Sequence, residues 1–194
     1  MASRRPGTIR KLFATDLPLF RDHLLRLDME TRHNRFVTAV NDLFLTQYAE
    51  RCFANGAIVF AYIEDGVVRG AAELHSLASD DDLSAEAAFS VEPHLRRRGI
   101  GTTLFRRLIT AARNRGIERL RINCLAHNDA MQGLARKFPM QLSFDRWQIV
   151  GDLTPQPATP VSYYMEAVDD MRGFLTAGLS VMRRGWSEPA VLHW

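Results

Sequence analysis

The stretch Phe89-Ser90-Val91-Glu92-Pro93-His94-Leu95-Arg96-Arg97-Arg98-Gly99-Ile100-Gly101-Thr102-Thr103-Leu104 constrains this chain more than any other. Ala87, Phe89 and Val91 alternate with Ala88, Ser90 and Glu92, and Pro93 cannot donate to a ladder, so a strand ends near Val91. Leu104, Leu108, Ile109 and Ala112 then recur at helical spacing until Asn114-Arg115-Gly116 supplies a left-handed stop. Between strand and helix, Gly99 and Gly101 let backbone N–H groups converge at the positive end of the helix. The order strand, glycine-bearing loop, helix start predicts a cradle for a diphosphate. A P-loop is excluded, because it needs Gly-Lys-Ser/Thr where Gly101-Thr102-Thr103 stands. The dinucleotide fingerprint is excluded too, because Leu104 replaces its third glycine.

Arg96-Arg97-Arg98-Gly99-Ile100-Gly101, with Val91-Glu92-Pro93 just upstream, resembles the Gln/Arg-x-x-Gly-x-Gly/Ala acyl-CoA loop of the GNAT N-acetyltransferase superfamily. Asn128-Asp129-Ala130-Met131-Gln132-Gly133-Leu134-Ala135-Arg136-Lys137 resembles the second part of that signature, an asparagine opening a helix that ends in Leu-Ala-Arg-Lys. Together with Ala85-Glu86-Ala87-Ala88-Phe89-Ser90-Val91, it is similar to the catalytic domains of bacterial protein-lysine acetyltransferases. The resemblance covers residues 8–153. It implies an α+β (mixed α/β) fold, a central, mostly antiparallel, splayed sheet flanked by helices. It also implies acetyl-CoA as cofactor and a primary amine, on a protein lysine or a small molecule, as acceptor.

Under this resemblance the N–H groups from Arg98 through Gly99, Ile100 and Gly101 to Thr102 hold the pyrophosphate. Thr103 is expected to bind the cofactor as well, and the Arg96, Arg97 and Arg98 side chains are secondary charge partners. Asn128 bonds the cofactor, caps its helix, or does both. The pantetheine arm pairs with the strand edge at Phe89 to Val91, and the N–H of Phe89 or Val91 faces the developing oxyanion. A protonated amine must lose a proton before it attacks, which calls for a carboxylate near the strand. Glu86 is the expected base, Glu73 on the preceding strand is the competitor, and Glu92 is expected to face solvent. The family's tyrosine acid is absent, since Ala135 stands in its place, and Pro139-Met140 replaces the usual Gly-Phe. Tyr48, Tyr62, Tyr163 and Tyr164 receive no role. Lacking that acid, the chain has a second reading as an acyl-CoA-binding sensor without turnover. Acceptor specificity is expected on the first two helices, including Arg32, His33 and Arg35, and near Trp147.

Along the chain, Thr15-Asp16 predicts a cap for a helix over Leu17 to Leu27, and Asn41 a cap for a second helix. Ala57–Ile63 and Val67–Leu74 read as strands around Glu64-Asp65-Gly66, a hairpin turn. The polar run from Ser79 to Ser84 reads as a loop outside the sheet. Arg119–Leu125, Leu142–Asp145 and Trp147–Leu153 read as further strands. Residues 154–161, with Pro155, Pro157 and Pro160, form a stiff connector to a helical extension over 162–194. Its stripe of Val168, Met171, Leu175, Leu179 and Met182 either packs back on the domain or pairs with a second copy.

The 194 residues, 46% of them apolar, suffice for one ordinary core. No apolar run reaches the roughly 18 residues of a membrane span, and Met1 to Gly7 lacks a secretion signal, so no membrane partner and a cytoplasmic location are expected. The net charge of +3 is mild. The arginine clusters lack interleaved aromatics, so no nucleic-acid partner is expected. Cys52 and Cys124 suit reduced buried thiols, and no metal site is expected. His75, His94 and His127 read as surface or loop residues, and the three tryptophans as packing residues.

Overall fold

The computed structural model describes residues 7–79 and 82–185. Arg4-Arg5, Asp80-Asp81, Trp186 and Trp194 lie outside the described residues. Strands β1 (Thr8–Leu12), β2 (Ile58–Glu64), β3 (Val67–Ser79), β4 (Asp82–Val91), β5 (Arg119–Leu125), β6 (Gln141–Asp145) and β7 (Gln148–Leu153) form one open sheet. Their order is β1-β2-β3-β4-β5-β7-β6, and every pairing is antiparallel except that of β4 with β5.

Helices α1 (Leu17–Arg26), α2 (Met29–Phe36) and α3 (Asp42–Ala54) lie on one face, and α4 (Ile100–Asn114) and α5 (Asp129–Ala135) on the other. Two-residue alternation assigns the strand side chains to these layers. In β2, Phe60 and Tyr62 join the α4 side while Val59 and Ala61 join Phe20, Leu24, Leu45 and Ala49 under α1 and α3. In α4, Leu104, Phe105, Leu108, Ala111 and Ala112 are all buried, one apolar stripe whose leucines each contribute about 1.5–3 kcal/mol. The β2–β3 turn puts both Asp65 (φ 51°) and Gly66 (φ 73°) in the left-handed region, as a two-residue hairpin of this twist requires.

Three expectations are corrected. Helix α2 is not foreshadowed by apolar periodicity, because its sequence is largely polar; its mark is Asp28, whose carboxylate accepts from Thr31 N at 2.7 Å as an N-cap. The run from Ser79 to Ser84 is not a loop outside the sheet: β3 and β4 pair without interruption out to Ser79↔Asp82. There the hairpin outruns its helical cover, leaving Leu77 and Leu83 exposed, so polar residues are compatible with strand. The third concerns helix α6 (Pro160–Gly185), which packs back against α4 and β1 and does so through polar side chains of its first half; the side chains of Leu175, Leu179 and Met182 lie outside the described ones. Arg107 pairs with Asp169 and Asp170 at 2.6 Å each and Arg115 with Glu166 at 2.9 Å, while Asn114 and Ser162 bond reciprocally. Gly173 allows contact with β1, since a Cβ there would lie 2.5 Å from Arg10 Cβ. Val161, Tyr164, Met165 and Met171 are left on the outside.

In β7, a Cβ on Gly151 would sit 2.9 Å from Ile122 Cγ1 and 3.0 Å from Leu142 Cδ2. Gly151→Val is therefore expected to destabilise the protein by about 1–3 kcal/mol through overpacking, measured as a lower urea midpoint at unchanged m-value.

Candidate active site

The sheet opens at one rung. The parallel ladder of β4 and β5 holds only Ser84↔Arg119, Ala85↔Leu120 and Glu86↔Arg121, yet β4 continues to Val91 and β5 to Leu125. Backbone polarity follows from two bonds at the ends of β4. Glu92 N donates to Arg69 O on the β3 side, and Glu118 N donates to Leu83 O on the β5 side. In a strand without a bulge the direction alternates, so Ala87, Phe89 and Val91 turn their N–H and C=O groups toward β5, into the opening. The edge is ready to accept an extended, amide-bearing ligand.

A cavity of about 200 Å³ fills this opening, lined by Glu86, Ala87, Ala88 and Phe89 from β4, Asn123 and Cys124 from β5, Asn128 and Met131 from α5, and Asn34 to Val37 from α2. Glu86 sits half-buried at its floor, where Asn123 Nδ2 donates to Glu86 Oε1 at 3.2 Å. The Phe89 ring packs edge-on against Phe105 at 5.1 Å, which secures the strand from behind. Asn128 serves as cap and as cavity wall at once: its side chain accepts from Met131 N at 3.1 Å.

The glycine loop leads directly from β4 into α4. Arg97 (φ 60°) and Gly99 (φ 80°) take left-handed conformations that turn the chain toward the helix. Thr103 closes the first turn, with N–H and hydroxyl both donating to Gly99 O at 3.0 and 3.2 Å. The amides of Ile100, Gly101 and Thr102 precede that bond and have no carbonyl in the helix to receive them. Ile100 buries its side chain and contributes only its amide. Arg97 and Arg98 are exposed, whereas Arg96 turns away to α2, donating to Thr31 Oγ1 at 2.6 Å. Free amides at a helix N-terminus beside an open strand edge fit coenzyme A, whose diphosphate and pantetheine need those two surfaces.

Glu73 is fully buried and absent from the cavity wall. Its Oε2 accepts from Arg35 Nη2 at 2.9 Å, Tyr48 OH at 2.5 Å and Cys52 Sγ at 3.6 Å, and pairs with His75 Nε2 at 3.1 Å. Burial pushes its carboxyl up, but the Arg35 charge and the contacts from His75 and Tyr48 outweigh that and hold it at about 2. Burial and the Glu73 charge push the Cys52 thiol up to about 12. Cys52, Glu73 and His75 carry ligand-type atoms within 4.8 Å of one another, and the Arg35 guanidinium lies 2.9 Å from the Glu73 oxygen among them. His75 is therefore part of a buried network and not a surface residue. Glu92 does not face solvent either: it is 6% exposed and pairs with Arg69 at 3.0 Å and Arg26 at 3.3 Å, which fastens the end of β4. Trp147, expected to pack, is 80% exposed in the β6–β7 turn.

Of the residues expected to select the acceptor, Arg35 lines the cavity, and His33, next in sequence to the lining Asn34, stacks on His127, next to the lining Asn128, at 6.2 Å. Arg32 instead ties α2 down through Leu25 O and Leu27 O. Asn34, Phe36, Val37 and Asn123 had no sequence signal, because they reach the cavity only through the packing of α2 and the splay of β5.

Comparison with known proteins follows the geometry. The model of the acetyltransferase (GNAT) family matches residues 21–138. No curated protein matches the sequence. Among solved structures, the GNAT domain of S. lividans PAT is 18% identical, with 76% of this chain and 90% of that one covered at a TM-score of 0.65. A ribosomal-protein-alanine N-acetyltransferase from Brucella melitensis is 24% identical (75% and 98% covered, TM-score 0.57). A GNAT superfamily phosphinothricin acetyltransferase from Sinorhizobium meliloti, solved in complex with acetyl-CoA, is 16% identical (80% and 95% covered, TM-score 0.58). At these identities the likeness is one of fold.

Glu73→Gln leaves the buried Arg35 charge uncompensated and is expected to cost about 3–5 kcal/mol in urea unfolding. Because the Glu73 carboxyl is held below its ordinary 4.5, the stability it supplies is fully present above that pH and is lost as pH falls toward 2. The gap between wild type and variant should close over that window.

Proposed function

This chain belongs to the acetyltransferase (GNAT) family and is an acetyl-CoA-dependent N-acetyltransferase; from that premise we propose that Glu86 is its general base and a lysine side chain of a polypeptide its acceptor. The observation that carries the first part is the place of Glu86 on the last paired rung, at the floor of the cavity beside the free edge of β4. Glu86 takes a proton from the acceptor ammonium, directly or through one water, and Asn123 orients the carboxylate that does so. Coenzyme A supplies the acetyl group as a thioester. Phe89 and Val91 hold N–H groups toward the opening, where one of them stabilises negative charge on the acyl oxygen. Acetyl transfer to the amine nitrogen would release the CoA thiolate, and the second proton of the amine would go to water, because Glu86 already holds the first. Ala135 is 2% exposed and offers no acid for the departing thiolate, whose ordinary pKa of about 8.5 lets it leave with water as proton source. Glu73, whose Oε2 is held by donors away from the cavity, acts as a strut that holds α2 and α3.

The polypeptide acceptor is supported by the Ala-Glu-Ala-Ala-Phe-Ser-Val motif and by the setting of the cavity mouth. His127, which precedes the lining Asn128, stacks on His33, and Trp147, whose carbonyl accepts from Ala126 N, is exposed. The buried Ala135 also supports a second reading, an acyl-CoA sensor without turnover. Thiol release from acetyl-CoA with lysine peptides and small amines separates the two. Glu86→Gln is expected to lower kcat by about 10²–10³ at neutral pH with the affinity for CoA unchanged. The deficit should shrink as pH nears the amine's own pKa, about 10.4. Tight CoA binding with no turnover on any amine would favour the sensor.

The outward face of α6 supports a homodimer. Val161, Tyr164, Val168 and Met171 recur at steps of three and four on the side opposite Ser162, Glu166, Asp169 and Asp170, a seam that a second copy would match. Light scattering should report about twice 22.0 kDa for the full chain and a monomer for Val168→Glu with Met171→Glu.

A further inference from the structure

Helix α2 ends on a residue that its own backbone disfavours. Val37 has φ 61° and ψ 0°, and its N–H closes the helix on His33 O at 2.8 Å. Glycine, and next to it asparagine, is the usual occupant of a left-handed residue after a helix, because a β-branched side chain crowds the main chain there. Such strain persists only where the surroundings hold it. Burial in the core does not supply that hold. Among the described residues Phe36 and Val40 pack on the layer under α1 and α3, whereas Val37 belongs to neither apolar cluster. Its half-buried side chain lines the cavity instead.

Strand alternation fixes the face of the sheet on which this wall stands. Ala87 of β4 and Ile122 of β5 enter the α4 layer, and Phe89 packs against it. Glu86, Ala88 and Ser90 therefore project to the other face, where Ser90 Oγ meets His23 Nε2 of α1 at 2.9 Å and Asn123 reaches Glu86. Helix α2 contacts both β4 and β5, so it covers the opening on the face that carries the Glu86 carboxylate. An amine that comes to Glu86 from this face passes the last turn of α2. In that turn Arg35 is committed to Glu73 and Tyr48, and Asn34 is polar. Phe36 is clamped by the rings of Tyr48 at 5.0 Å and Phe44 at 5.6 Å, with the Arg35 guanidinium 4.7 Å over it. Phe36 and Val37 thus form a fixed apolar wall in the cavity that Glu86 lines.

We propose that Val37 is a specificity-determining residue of the acceptor site: with Phe36 it contacts the substrate beside the reacting nitrogen and selects an amine carried on a methylene stem, the ε-amine of lysine, over an α-amine. This rests on the lysine reading of the acceptor and adds the groups that enforce it. A lysine brings only CH₂ groups against Phe36 and Val37. An α-amine brings a peptide carbonyl and N–H close to its nitrogen, and these lose water against an apolar wall with nothing to replace it.

Two probes make the test, each a peptide joined through an acetyl bridge to the sulfur of coenzyme A, one at the ε-nitrogen of its lysine and one at its α-nitrogen. Calorimetry of the full chain reads their affinity ratio without requiring turnover, so the result stands apart from that of Glu86→Gln. Wild type is expected to favour the ε-linked probe, and Val37→Gly to reduce that preference about tenfold while binding CoA itself as before. Because glycine relieves the left-handed strain, the same variant should melt about 2–4 °C above wild type. A gain of stability with a loss of selectivity is what a merely structural residue does not give. Val37→Asn also tolerates this conformation; it sets an amide on the wall and should move the ratio toward the α-linked probe without the added freedom of glycine. A preference for the ε-linked probe that survives in both variants would overturn the proposal and leave the lysine reading standing. Wild type that binds the two probes equally, or prefers the α-linked one, would overturn the lysine reading and the proposal with it. A lower melt in Val37→Gly would also overturn the proposal, since the side chain would then be serving the fold.

Discussion

The loss of one inter-strand ladder organises the molecule. Between Ser84 and Glu86 the strands β4 and β5 are paired, and beyond Glu86 they part. Each backbone group left unpaired there would be a liability in a closed sheet, because buried donors and acceptors need partners. In this protein the free edge is the functional surface, and the residues around it supply what it needs. The Phe89 ring braces the strand from the α4 layer, and the Glu92 pairs fasten its end. The glycine loop then turns the chain so that a helix N-terminus opens at the same place. The free strand edge and the helix N-terminus are consecutive along one chain segment, so positioning one positions the other.

The acceptor side is held by a different kind of force. Four donors on three elements converge on one oxygen of Glu73, and the carboxylate stays ionised at full burial because Arg35 lies beside it. A pair of this kind adds little net stability over an apolar packing, but removing either partner strands a charge. Its structural effect is to fix α2, and with it Asn34 to Val37, against the mouth of the cavity. The two carboxylates on neighbouring strands thus stand in opposite surroundings: Glu73 is enclosed and paired through Oε2, whereas Glu86 keeps a single amide partner and lines the cavity.

Helix α6 inverts the usual arrangement of an amphipathic helix. Its charged side meets Arg107 and Arg115 on α4, and its apolar side is turned away from the domain. Isolated surface ion pairs contribute little, but here several act together with the reciprocal Asn114–Ser162 bonds. They orient the helix so that Val161, Tyr164, Met165 and Met171 remain exposed.

Local chemistry was legible in the sequence. Strand alternation before Pro93, the glycines at 99 and 101, the helical spacing after Leu104, the Asn128 cap and the Asp65-Gly66 turn all depend on residues a few positions apart, and the structure carries each of them. The motif around Glu86 and the glycine loop was enough to indicate family, cofactor and fold. Helix α2 was hidden because it is polar and is held by caps and ion pairs, which leave no apolar period to read. The environments of Glu73, Glu92 and His75 were hidden for a related reason: a lone charged residue on a strand reads as exposed, and only partners from distant elements make its burial affordable. Spacing within the chain therefore indicated most of the strands and helices and a loop suited to a diphosphate, and the resemblance added the coenzyme. Tertiary packing alone decided which carboxylate is enclosed and which stands in the opening, because burial and charge pairing are properties of neighbours that the chain brings together only when folded.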